Sequence, residues 1–141
     1  MHVKIKRLKD ETKLPAYAHP GDVGMDVFSL EQHTLEPRER YSFTLGFALE
    51  FDHGYAGIMK DKSGMARLHG IHVMGGVYDA GYRGEYNVEL INLSNEAYTI
   101  EVHQKIAQLL IIPVVIGELV EASELSDSER ADGRFGSTGK F

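Results

Sequence analysis

The chain has no cysteine in its 141 residues. Disulfides, thiolate metal sites and cysteine nucleophiles are therefore excluded. It has no run of 18 apolar residues, so no membrane-spanning helix and no membrane role is expected. The opening, Met1-His2-Val3-Lys4-Ile5-Lys6-Arg7, lacks an apolar stretch, so no signal peptide is expected and a cytoplasmic location is the default. A basic excess is missing too. Lys and Arg total 15 against 21 Asp and Glu, a formal charge of −6, which argues against a general nucleic-acid binder. A small anionic substrate stays open, because a few focused cations can build a local site. Gly139-Lys140 is followed by Phe141, so there is no Walker A sequence, and Ser63 has no Ser-His-Asp context. His69 and His72 have a metal-like spacing but no third ligand nearby, and read as solvated or core histidines. No internal repeat is visible. What is left is a normal globular composition, 43% apolar, in one domain long enough for a real core.

Period-2 alternation dominates the chain. Over residues 41–51 the odd positions read Tyr41, Phe43, Leu45, Phe47, Leu49 and Phe51, and the even ones Ser42, Thr44, Gly46, Ala48 and Glu50. That pattern predicts one strand with one buried face. Similar runs at 3–5, 25–30, 55–59, 71–74, 86–93, 98–102 and 106–116, parted by Pro, Gly, Asn and Asp turns, predict an antiparallel β-sandwich or barrel. Residues 106–116 are nearly all apolar, interrupted by Gln108 and Pro113, and read as a strand buried on both faces, at a subunit contact. Only 63–68 reads as helix, with Ser63 as N-cap and Gly70 as stop. The expected organisation is a β-barrel body over 1–122, then an acidic tether and Gly-rich flap over 123–141.

Five clusters could carry chemistry. The first, residues 20–27, reads as a Gly-rich turn into a strand, with Asp22 and Asp26 as turn carboxylates. In the second, Lys62 and Ser63 open a short helix, either an anion site or an ordinary cap. The third is Gly75-Gly76-Val77-Tyr78-Asp79-Ala80-Gly81-Tyr82-Arg83-Gly84. Asp79 could take a proton from water, and Tyr82 could lie flat against a sugar or base. The other reading is a β-hairpin turn, although four glycines exceed what one turn needs and suggest close backbone approach to a ligand. In the fourth cluster Gln108 interrupts an apolar strand, so its amide is either paired internally or faces a ligand. The fifth is the tail Gly133-Arg134-Phe135-Gly136-Ser137-Thr138-Gly139, whose backbone N–H groups and hydroxyls suit phosphate oxygens around an aromatic ring.

In order and spacing these segments resemble the five motifs of the trimeric dUTPases (deoxyuridine triphosphate nucleotidohydrolases). The matching stretches are 20–27, 62–66, 76–84 with its strand to Asn92, 105–109 and 130–139. The resemblance implies an all-β, jelly-roll-like antiparallel fold with a flexible C-terminal arm, and a homotrimer whose active sites are shared between subunits. It implies hydrolysis of dUTP to dUMP and pyrophosphate, which limits uracil incorporation into DNA and supplies dUMP for thymidylate synthesis. Asp79 then matches the base that activates water for attack on the α-phosphorus. Ser63, Gln108 and Arg130 match phosphate contacts, with Lys62 where the family usually has Arg and Gly64 among the substrate-binding positions. Gly76 and Asn87 bound the backbone that would read uracil, and Tyr82 matches the ring under deoxyribose. Phe135 would stack on the base, with Gly136, Ser137 and Thr138 at the phosphates. Mg2+ would be held mainly by triphosphate oxygens and water, with Asp26 structural or linked to the metal through water and no direct protein ligand. Ala131 and Arg134 stand where the family prefers Gly, and His103-Gln104 replaces a Gly-Asp type turn.

Two rivals remain at this point. A dCTP deaminase shares the fold, and Glu89 sits near where that family places its catalytic glutamate. However, Gly64 stands where that family carries a serine, and Glu89 otherwise reads as an exposed strand residue. The other rival is a non-catalytic β-jelly-roll interaction or regulatory protein.

Overall fold

The computed structural model describes residues 1–128. In chain order the strands are β1 Lys4–Arg7, β2 Met25–Phe28, β3 His33–Leu35, β4 Arg40–Thr44, β5 Phe47–Glu50 and β6 Tyr55–Asp61. Helix α1 spans Ser63–His69, followed by β7 Ile71–Met74, β8 Val77–Asp79, β9 Asn87–Asn92, β10 Tyr98–Ile100 and β11 Lys105–Pro113. All ladders are antiparallel. The strands form a four-stranded sheet β2-β11-β6-β8, a three-stranded sheet β4-β9-β7, and the pairs β1-β5 and β10-β3. The all-β antiparallel class expected from the alternation holds. Among the described residues no helix is long and apolar enough to cross a membrane.

Alternation places the core. On β9 every second residue turns inward, so Val88, Leu90 and Asn92 are buried. Val88 and Leu90 join Phe43, Phe47, Met59, Ile106 and Leu109 in one cluster. Asn92 is the polar end of that inward row, and it is fully satisfied. Its amide donates to Leu35 O at 2.9 Å and Glu96 O at 2.7 Å, and its Oδ1 accepts from Ser94 N and Oγ. A buried amide with every bond made fixes where the β3-β10 pair sits on β9.

The expected single strand over 41–51 is in fact two. The chain breaks at Gly46, which has φ +72°, where a Cβ would stand 2.0 Å from Thr12 Oγ1. Thr12 Oγ1 donates to Gly46 O at 2.9 Å, while Leu45 N bonds Tyr86 O and Tyr86 N bonds Phe47 O, both at 2.9 Å. The backbone bulges around Tyr86, so β4 pairs β9 and β5 pairs β1. The odd positions stay buried across the break.

Two other boundaries move. Ser63 is not the cap: Lys62 is, without a side-chain capping bond, and Ser63 is the first helical residue. Gly70 ends α1 as expected, with φ 66° and its N–H on Ala66 O. β11 stops at Pro113 rather than 116, because proline cannot continue the ladder. It lies between β2 and β6. Only its first half is buried on both faces; beyond it Val115 is 98% exposed. Residues 123–128, where the tether was expected to begin, carry no strand or helix.

Candidate active site

β2 and β11 lie side by side with Asp26 opposite Gln108, and Gln108 lies opposite Lys60 on β6. Asp26 is 4% exposed. Its Oδ1 accepts from Lys62 Nζ at 2.6 Å and its Oδ2 meets Lys105 Nζ at 2.7 Å. Burial alone pushes this carboxyl up, but hydrogen bonds from Lys105 and Lys62, with their charges, outweigh it and hold the group below its ordinary value. Asp26 is therefore an ionised structural tie that joins β2, the end of β6 and the start of β11. Beside it the Gln108 amide donates to Asp61 O at 2.9 Å. Asp61 in turn accepts Val73 N–H at 2.6 Å and meets His72 Nδ1 at 2.9 Å. That carboxylate links β6 to β7, which share no ladder. Ser63 and Gly64 follow directly and are exposed. This end of the sheet thus presents a helix start, a fixed amide and two ammonium groups that also neutralise a buried carboxylate.

A second group lies elsewhere. Asp79 ends β8, the edge strand beside β6, and is exposed. The loop after it closes on itself. Tyr82 N bonds Asp79 O at 3.0 Å, Tyr82 Oη donates to Glu85 O at 2.9 Å, and Arg83 donates to Ala80 O at 2.6 Å. Before it, Gly76 has φ +89°, and a Cβ there would lie 2.9 Å from Met59 Cβ and 3.0 Å from Met59 O. Only glycine permits that approach, which lets Gly76 O accept Met59 N–H at 2.7 Å. A cavity of about 230 Å³ opens here, lined by Met59, Met74, Gly76, Tyr78, Asn87 and Glu89 among others. Its size suits one small ring rather than a drug-sized ligand. A larger cavity, about 440 Å³, lies by Met1, Lys4, Glu50 and Asp52 and holds none of the expected site residues.

The alternative reading of 75–84 as a β-hairpin turn does not hold. β8 and β9 do not pair with each other; β8 pairs with β6, and β9 with β4 and β7. The β7-β9 ladder ends at Met74–Glu89, short of Asn87. The cavity therefore opens between two strands of different sheets, where neighbouring ladders have stopped. Glu89 is also not simply exposed: it is half-buried on the cavity wall, and its Oε1 accepts from Asn87 Nδ2 at 3.1 Å.

One chain does not bring the two groups together. Asp79 is opposite Ala56, whereas Gln108 bonds Asp61. Five positions along β6 separate these two residues, roughly 17 Å at strand rise.

A model of the dUTPase family matches residues 10–139, both groups and the tail positions included. The chain belongs to the dUTPase family. The deoxyuridine 5'-triphosphate nucleotidohydrolase of Nautilia profundicola is 46% identical over 142 residues, covering 99% of this chain and 100% of that one. A point-mutant dUTPase of Staphylococcus bacteriophage 80alpha, solved with dUpNHpp, superposes with TM-score 0.92 at 28% identity, covering 98% of each chain. A dUTPase of phage phi11 of S. aureus, described with a structural Mg(II) ion, shares the fold with TM-score 0.84 at 24% identity, over 90% of this chain and all of that one.

Against the dUTPase motifs, Lys62, Ser63, Gly64 and Gln108 gather at the Asp61 end of β6. Gly76 and Asn87 line the cavity, and Asp79 and Tyr82 are joined through the turn that follows β8. Lys62 does not stand free for phosphate, since its ammonium bonds Asp26. Gln108 has an internal partner. Arg130, Phe135, Gly136, Ser137 and Thr138 lie outside the described residues. Lys105, Asp61 and Tyr78 were given no role from sequence. A lone charge before an apolar strand and a carboxylate ending one were the visible signals, but their partners lie far away in the chain.

Proposed function

We propose that the chain hydrolyses dUTP to dUMP and pyrophosphate, at active sites shared between the subunits of a homotrimer. The observation that carries this reading is the separation along β6. Asp79 and the amide-and-ammonium group are about 17 Å apart by strand rise, whereas a general base and the groups holding the phosphorus it serves must lie within a few ångströms of that centre. A neighbouring subunit bridges that gap, and the apolar, exposed stretch after β11 offers surface for it.

In this reading uracil enters the cavity between Gly76 and Asn87, with deoxyribose against Tyr82. Ser63, Gln108 and Arg130 hold the phosphates, with Lys62, bonded to Asp26, adding positive charge beside them, and the tail closes with Phe135 on the base and Gly136, Ser137 and Thr138 on the phosphates. Asp79 takes a proton from water as its oxygen attacks the α-phosphorus, and the bond to the bridging oxygen breaks to release pyrophosphate. Such base assistance is worth roughly 10²–10⁴ in rate, and positioning supplies much of the rest.

The donor set fits magnesium carried in by the substrate. Among the described residues no three His, Asp or Glu side chains converge as ligands, and both oxygens of Asp26 are engaged by lysines. Magnesium keeps several waters and favours phosphate oxygens, where it neutralises charge on the triphosphate. The enzyme acts on the free nucleotide pool of the cytoplasm, limiting uracil in DNA and supplying dUMP.

Mixing tests the shared site. Asp79→Asn should lower kcat by about 10²–10⁴ while leaving nucleotide binding nearly intact, because the side chain is exposed. A Gln108→Ala partner should be inactive through the other half of the site. Refolding the two together should restore activity, with about one site in four complete in random trimers. No recovery would place the whole site within one subunit. A wild-type enzyme that releases no pyrophosphate from dUTP with magnesium would end the reading altogether.

A further inference from the structure

The wall of the small cavity carries a network that dUTP hydrolysis by Asp79 does not need. Tyr78 Oη donates to the main-chain O of Asn87 at 2.5 Å and lies 3.2 Å from Asn87 Oδ1. Both amide hydrogens of Asn87 are engaged as well, by Ser42 Oγ at 3.0 Å and Glu89 Oε1 at 3.1 Å. Tyr78 is therefore the link between β8 and β9, two strands that share no ladder. Its ring is anchored from behind. It stacks on Tyr86 at 4.2 Å and 18°, and Tyr86 stacks on Phe47 at 5.4 Å and 25°. Tyr82 leans on this same column, 5.9 Å from Tyr78 and 5.7 Å from Tyr86. Phe47 and Tyr86 are wholly buried, so the column runs from the core to the cavity wall.

We infer that Tyr78 is a positioning residue that sets nucleobase selectivity, by holding the Asn87 carbonyl and amide in one orientation against the cavity. The inference rests on the dUTP reading and deepens it. A base is chosen by the cost of leaving buried donors and acceptors mismatched, and that cost is high only if the protein groups cannot turn away. A carbonyl fixed by Tyr78 stays put when a cytosine presents a lone pair where uracil presents an N–H. Without the Tyr78 hydroxyl the Asn87 carbonyls lose one tether and shift more readily, which relieves the clash and lets cytosine in. The pleat adds a second role. Successive strand side chains point to opposite faces, so anchoring Tyr78 also aims Asp79 away from the column.

The test compares Tyr78→Phe with the wild-type enzyme on dUTP and dCTP, with magnesium, by pyrophosphate release. Phe keeps the stacked ring and removes only the hydroxyl. Loss of one neutral hydrogen bond should raise KM for dUTP about three- to tenfold, with kcat changed less, and lower dUTP-over-dCTP selectivity by a similar factor. Tyr78→Leu, which also lacks the hydroxyl, should show the same selectivity loss and serves if the Phe variant does not fold. Unchanged selectivity and KM in the folded variants would overturn the inference, even with a lowered melting temperature, because a purely structural role predicts that result. A wild-type enzyme inactive on dUTP would instead overturn the reading on which the inference stands.

Discussion

Replacing Asp26 by asparagine tests the tie between β2, β6 and β11. The carboxylate is 4% exposed and meets two ammonium groups at 2.6 and 2.7 Å. Asparagine keeps the shape, but its Oδ1 can accept from only one lysine, and its NH2 then faces the other donor. Breaking a fully buried ion pair costs about 3–5 kcal/mol, chiefly because the surviving charge stays buried. Here the survivors, Lys62 and Lys105, have side chains 31% and 48% exposed, so both can return to water. The expected loss is therefore smaller, about 2 kcal/mol. Urea denaturation at fixed protein concentration measures it. The pH profile gives an independent check. The folded carboxyl titrates below its ordinary 3.8, so its stabilisation is present above the unfolded value and lost as pH falls through the folded one. Wild type and Asp26→Asn should accordingly differ steadily from neutrality down to about pH 4 and converge below it. A loss under about 0.5 kcal/mol at neutral pH would refute the tie and return Asp26 to the pool of free carboxylates.

Two further substitutions probe the fold. Gly46→Ala places a Cβ 2.0 Å from Thr12 Oγ1 at a φ of +72°. Left-handed strain and overpacking together should cost about 3 kcal/mol, read as a fall in denaturation midpoint, and a neutral result would mean that the break between β4 and β5 is not fixed by Gly46. Tyr86 is 0% exposed, and its hydroxyl finds no hydrogen-bond partner among the described residues. Burial, with smaller contributions from Tyr78 and Tyr82, pushes its pKa up to about 12. Tyr86→Phe should raise stability by about 1 kcal/mol in the same denaturation assay. Destabilisation would reveal a partner supplied from outside residues 1–128.

The strands that face the core were legible because burial repeats every second residue, as on β9, where Val88, Leu90 and Asn92 alternate with Asn87, Glu89 and Ile91. The same regularity hid the break at Gly46, since bulging around Tyr86 leaves the odd positions buried. The short strand β8 escapes the alternation, and its stretch reads equally as a hairpin turn, because local sequence cannot say that its partner is β6, some twenty residues earlier. Glu89 was misjudged for a related reason: its face of β9 is outward from the core yet covered by the cavity wall. The candidate site was visible as five clusters, but the pairing of Asp26 with Lys105 joins distant positions that carry no mutual signal. For the terminal cluster, beyond residue 128, the sequence reading stands alone.

The Asp26 tie also bears on how products leave. Two ammonium groups face one carboxylate, so this trio carries a single net positive charge. On a chain whose formal charge is −6, that is a weak local field. In the proposed site it cannot by itself match a triphosphate's several negative charges. Once pyrophosphate is cut free, the field left behind is shallow, and salt should affect arrival and departure only slightly. Such a site suits an enzyme that must clear its substrate to low levels without being held by the anion it makes.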